Sequence, residues 1–212
     1  MKTVLYLIFF LSLNLNAQIQ NEFYVDDVEN IEYLTVNFCV NNEGKTSNVT
    51  VIPSKTTYKN QDIINQVIEY RKSIEYYPDT NLKNNCYDYT FNFVNSKLQK
   101  SQLTESDLKL INNFKNGKFK YADIIFPDVT IIRTNENQIE QNGDEIFKYK
   151  IEWTSPNSYS IKYLEVNKKE YEYLLGEKIN VEIIKLISPK KYIYKSNLLD
   201  RTIITGIIEK PD

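Results

Sequence analysis

The sequence predicts two folded modules in series: an α+β module built as a split β-β-α-β unit with an antiparallel sheet, then a mostly-β antiparallel meander of barrel-like form. Three observations carry this. Apolar and polar residues alternate over 34–40 and again over 86–94, the period-two signature of half-buried strands. Between them, Ile63, Ile64, Val67, Ile68 and Ile74 recur at helical spacing. From residue 117 onward, short strand-like segments follow one another between turn signals.

Residues 1–17 precede both modules. Lys2, an apolar run from Val4 to Leu11 and a small-residue end at Ala17 have the layout of a cleavable secretory signal. The run is about half of the roughly 20 apolar residues that a membrane-spanning helix needs. Export to the periplasm or the extracellular space is therefore expected, with no transmembrane segment in the mature chain.

Composition narrows the chemistry. The formal net charge is −2 and Lys is interspersed with Asp and Glu, so nothing draws the chain electrostatically to nucleic acid. There is no histidine, which removes His-based triads, Cys-His dyads and His-ligated zinc. Five glycines leave little room for a phosphate-cradling loop. No catalytic, cofactor-binding or metal-binding residue is assigned, and a non-enzymatic role is expected.

The first module spans residues 22–97. Leu34, Val36, Phe38 and Val40 form one strand face, Asn41-Asn42-Glu43-Gly44 supplies turn chemistry, and 47–52 returns as the second strand, stopped by Pro53. Asn60 is placed to cap the helix, and Tyr76, Tyr77 and Pro78 to end it. The third strand carries Tyr87, Tyr89, Phe91 and Phe93 on one face. In a split arrangement the end of strand one lies beside the start of strand three, with Cys39 and Cys86 both on the face opposite the helix. A disulfide between them is expected in an exported chain.

The run from Val36 to Ile52, the helix ending in an aromatic residue and proline, and the strand from Cys86 to Val94 resemble the TonB carboxy-terminal domain family over about residues 30–95. The resemblance implies that fold and the use of a sheet edge to pair with an extended peptide. It does not bring the family's energy-coupling role, because the module follows closely on a cleavable leader and no long proline-rich spacer precedes it.

Ser96 to Gln102 reads as a linker, and the second module covers 103–212. Thr104 and Asp107 form a capping pattern before Leu108, Ile111 and Phe114, so a short helix opens it. Strands are then expected at 119–121, 129–132, around Ile139, and at 146–153, 159–166, 171–175, 179–187, 192–194 and 203–208. Phe147, Tyr149, Ile151 and Trp153 alternate with Lys148, Lys150 and Glu152, and Tyr159, Ile161 and Tyr163 with Ser160 and Lys162. Lys115-Asn116-Gly117-Lys118-Phe119, Ile131-Ile132-Arg133, Gln138-Ile139-Glu140 and Trp153 loosely resemble small uncharacterised exported bacterial proteins, which implies a shared fold and no chemistry.

Two roles follow as expectations. The first is interaction with an envelope or exported protein partner through the exposed edge of strand two or three of the first module. The alternative is a small-ligand binder with a lipocalin-like barrel, its cavity lined by Tyr149, Trp153, Tyr163 and Tyr192. Arg133, Gln138 and Glu140 flank a hairpin turn at 135–137, and the simplest reading of them is a cross-strand ion pair. Asp26, Asp27 and Glu29 read as a solvated acidic run.

Overall fold

The computed structural model describes residues 22–77, 79–124, 126–198 and 202–211; the expected leader and Pro78 lie outside the described residues. The first module is a four-stranded sheet in the order β1-β4-β2-β3, formed by β1 (Glu22–Val25), β2 (Ile31–Val40), β3 (Thr46–Val51) and β4 (Asn85–Asn95). Helix α1 (Gln61–Lys72) covers one face. The expected order strand, strand, helix, strand is present, but the sheet is mixed rather than antiparallel. β1 pairs in parallel with β4, Glu22 opposite Asn92 and Val25 opposite Asn95. A four-residue strand without clear alternation is legible only beside its partner.

Local chemistry sets the boundaries. The Asn60 side chain caps α1 by accepting from the Ile63 amide, as its position predicts. The helix stops at Lys72, earlier than the apolar spacing suggests. Ile74 lies past its end, where its carbonyl accepts the Thr46 amide and Glu75 bridges to Lys45. That close approach requires Gly44: its φ is +85°, and a Cβ there would lie 2.7 Å from the Tyr76 carbonyl oxygen.

Alternation divides the sheet's side chains between two cores. Leu34, Val36, Phe91 and Phe93 pack under α1 with Ile64 and Val67. Burying an aliphatic side chain of this size contributes about 1.5–3 kcal/mol. The opposite face carries Cys39 and Cys86, which sit directly across from each other in the β2–β4 register, bonded, with Cα atoms 4.0 Å apart. The bridge closes a 47-residue separation; the chain-entropy treatment gives about 4 kcal/mol for a loop of that order.

The second module is a closed barrel of eight antiparallel strands, in the order β5 (Gly117–Tyr121), β6 (Thr130–Arg133), β7 (Asn137–Asn142), β8 (Glu145–Ser155), β9 (Ser158–Val166), β10 (Lys178–Ser188), β11 (Lys191–Leu198) and β12 (Thr202–Glu209). It closes where β12 meets β5, through Ile208 opposite Tyr121 and Glu209 opposite Lys120. The strand expected at 171–175 is a 3-10 turn, Lys169–Leu174. Its amides bond three residues back, Tyr171 to Lys168 and Leu175 to Glu172, because the eight-stranded barrel leaves no strand edge to receive it.

The segment expected as a linker is packed. Leu98 is buried in a third cluster, where Ile31, Tyr33 and Val94 of the sheet meet Ile184, Ile193 and Ile207 on the outer wall of β10–β12. Polar contacts border this interface: the Thr205 amide and hydroxyl donate to Glu22, and Lys185 donates to Asn30. The sheet of the first module is thus clamped between α1 and the barrel. Among the described residues no helix is long and apolar enough to cross a membrane.

Candidate functional site

The two ends of the barrel differ. At one end the hairpin connections are short, at 134–136, 156–157 and 189–190, and the segment leading into β5 plugs the opening. Helix α2 (Glu105–Leu110), opened by the capping box that Thr104 and Asp107 predict, delivers Ile111 and Phe114 into the core, both fully buried. The Phe114 ring meets Phe119 and Tyr192. At the other end the connections 122–129 and 167–177 are longer, and the 3-10 turn brings Tyr171, Tyr173 and Leu174 to the wall of the interior.

Between the plug and the longer loops lies a cavity of about 330 Å³. Tyr121, Tyr149, Tyr163, Tyr194 and Phe147 supply its aromatic wall, and Ile161, Val181 and Ile208 its aliphatic one. Volume and lining are those of a small-molecule site: concave, mostly apolar, with few polar groups.

Those polar groups form one connected network. Arg133 is 2% exposed and donates from Nε to the Gln138 Oε1 at 2.8 Å, from Nη1 to the Phe114 carbonyl and the Tyr192 hydroxyl, and from Nη2 to the Tyr159 hydroxyl. Gln138 passes the connection on, donating to Glu140 at 2.7 Å. The same carboxylate accepts from the Tyr121 hydroxyl at 3.1 Å and from Tyr149 at 3.4 Å. Desolvation raises the Glu140 pKa, against the pull of Tyr121, Gln138, Arg133 and Tyr149. Burial likewise pushes the phenols of Tyr121, Tyr149 and Tyr194 up, so these hydroxyls keep their protons.

Of the four cavity residues expected from sequence, Tyr149 and Tyr163 line the cavity, their ring centroids 4.6 Å apart. Trp153 and Tyr192 belong to the plugged end. Trp153 lies tilted against Tyr159, ring centroids 4.8 Å apart, with the Lys115 ammonium 5.0 Å from its ring, and Tyr192 is fully buried against Phe114 and Arg133. All four point inward as alternation demands, but depth along the barrel axis separates them. The cross-strand ion pair expected at Arg133 and Glu140 is corrected to a buried relay through Gln138. It is buried because Arg133 and Gln138 face each other across β6 and β7 on the inner wall.

Sequence reasoning missed Tyr121, Tyr194 and Gly206. Gly206 stands opposite Tyr194 in the β11–β12 register, and a Cβ on it would come within 2.6 Å of the Tyr194 hydroxyl. A glycine inside a strand, flagged as a place of close approach, is the signal that could have found this pair.

The remaining candidates resolve locally. Asp27 accepts from Tyr58 and Asn60, Asp26 accepts from Ser96, and Asp144 pairs with Lys168. Among the described residues, no group of three or more Cys, Asp or Glu side chains is placed to hold a metal ion.

Fold and site together define an eight-stranded up-and-down β-barrel, plugged at one end and hollow toward the other, carrying a sheet-and-helix layer on its wall. Comparison of the chain with protein-family models, curated proteins and solved structures finds no match.

Proposed function

We propose that this is an exported protein that binds a small molecule inside its barrel. The observation that carries the reading is the tyrosine-lined cavity of about 330 Å³ with Glu140 and Gln138 converging on it. A barrel of this size filled by its own side chains would have no such space. Export rests on the leader-like residues 1–17 together with the Cys39–Cys86 disulfide, which suits an oxidising compartment.

The first-ranked expectation, a partner recruited through a sheet edge, has less to stand on. β4 is not an edge, because β1 covers it, and the outer side of β3 begins occupied, its Thr46 amide held by Ile74. Binding in the barrel is tested with the neutral naphthalene dye prodan. The expected result is saturable fluorescence enhancement at one dye per chain, lost in Val181→Trp, which fills the cavity while circular dichroism remains unchanged. Enhancement that does not saturate, or that Val181→Trp leaves intact, removes the barrel as the site.

A further inference from the structure

We propose, building on that reading, that the barrel selects a compact organic cation: an amine whose ammonium group docks on Glu140 and whose apolar body lies among the tyrosine rings. The first observation is the charge of the wall. Glu140 and Glu145 both line the cavity, and among the described residues no Lys or Arg does. Tyr171 donates to Glu145 at 2.9 Å, which places that second carboxylate beside the 3-10 turn. An anionic ligand would meet two carboxylates and, among the described residues, no Lys or Arg on the wall.

The second observation is unused acceptor capacity. A carboxylate offers about four lone-pair positions. Glu140 Oε1 takes Tyr121 and Gln138, whereas Oε2 takes only Tyr149, at 3.4 Å. One oxygen therefore has room for a ligand N–H. The third is the fate of the nearest cation. Arg133 does not line the cavity, lies behind Gln138, and directs Nε, Nη1 and Nη2 into protein acceptors. Its charge helps to hold Glu140 ionised without filling the place of a ligand.

The rings complete the match. Aromatic faces carry partial negative charge and attract cations, most strongly where water is excluded. Tyr149 and Tyr163 are inclined at 53°, and Tyr121 and Tyr194 at 55° with centroids 6.4 Å apart. The rings thus stand on several sides of the space into which Glu140 faces. A neutral molecule would gain from apolar contact alone, and a cation gains from the rings and the carboxylate as well.

The test uses displacement of prodan from the full mature chain by three compounds of equal chain length and different charge: 2-phenylethylamine, 2-phenylethanol and phenylacetate. The amine is expected to compete at least about tenfold more tightly than the alcohol, and the acid more weakly than either. In Glu140→Gln, which preserves shape, the amine and the alcohol should come within about twofold of each other. The cation assignment is overturned if the alcohol or the acid matches the amine on the unaltered protein, or if prodan binds and none of the three displaces it. It is equally overturned if the amine's advantage survives in a folded Glu140→Gln. The charge series on the unaltered protein decides even if that variant does not fold. Failure of prodan and of all three compounds to bind removes the small-molecule reading itself, a different outcome from loss of charge preference.

Discussion

Two buried arginines, one in each module, show how differently the modules use the same side chain. Arg71, in the last turn of α1, is 1% exposed, with its guanidinium 3.5 Å from the Phe38 ring centroid and 5.0 Å from that of Tyr89. It donates to the Tyr76 hydroxyl at 2.5 Å, while Nε and Nη1 have no hydrogen-bond partner among the described residues. Arg133 is as deeply buried, and each of its nitrogens is bonded. The first is held by packing, ring faces and the negative end of the helix dipole. The second is the anchor of a polar network that ends at the cavity. A solid sandwich needs only volume at that position; a hollow barrel needs directed donors to hold the floor of its cavity in place.

Exchange of each arginine for methionine puts the difference to a direct test. Arg133→Met leaves the Phe114 carbonyl and Gln138 Oε1 without their donor and takes from Glu140 the nearest positive charge. A loss of about 3–5 kcal/mol is expected in urea unfolding followed by intrinsic fluorescence. A loss below 1 kcal/mol would mean that the network is ornamental to the barrel.

A smaller effect is expected at the barrel seam. Glu209 receives hydrogen bonds from Lys191 and Lys120, at 3.0 and 3.1 Å, where β12 closes on β5. The Lys191 bond, reinforced by Lys120, holds its carboxyl below the usual carboxylate range. A depressed acid contributes stability above its unfolded value and loses it as pH falls through the folded one. Glu209→Gln should therefore cost about 0.5–1 kcal/mol at neutral pH and nothing in strong acid. Melting curves of the two proteins that stay parallel down to low pH would contradict this.

The smallest change is expected at Arg71. Arg71→Met removes a desolvated charge along with its ring contacts, so its stability should stay within about 1 kcal/mol of the parent. A loss as large as that of Arg133→Met would erase the contrast between the modules.

How much was legible follows the range of each interaction. The Asn60 cap, the Thr104–Asp107 capping box, the 41–44 turn and the inward alternation of Phe147, Tyr149, Ile151 and Trp153 are local, and the sequence displays them. The Cys39–Cys86 bridge was legible one step further out, because strand order and direction alone bring those positions together. β1 and the 3-10 turn at 169–174 were not, because their conformation depends on whether a distant strand edge is free. β4 offered one to Glu22–Val25, and the closed barrel offered none to Tyr171.

The candidate site divides in the same way. Arg133, Gln138 and Glu140 stood out as polar residues flanking one hairpin, and their adjacency was correctly implied by the turn at 135–137. Their burial was not, since a cross-strand pair reads alike on either wall of a barrel. Tyr194, on the eleventh strand, meets Tyr121 of β5 only on closure.

By itself, then, the sequence determined which residues face inward, where helices begin, which cysteines can meet and which catalytic chemistries a chain without histidine excludes. These follow from backbone periodicity, capping and residue type. Tertiary structure alone decided that the sheet's second face packs against the barrel wall, that Trp153 and Tyr192 lie on the plugged side while Tyr149 and Tyr163 border a cavity, and that a carboxylate faces it. Periodicity specifies inside or outside, whereas depth along a barrel and the space left in it depend on closure, when all eight strands and the plug compete for one volume.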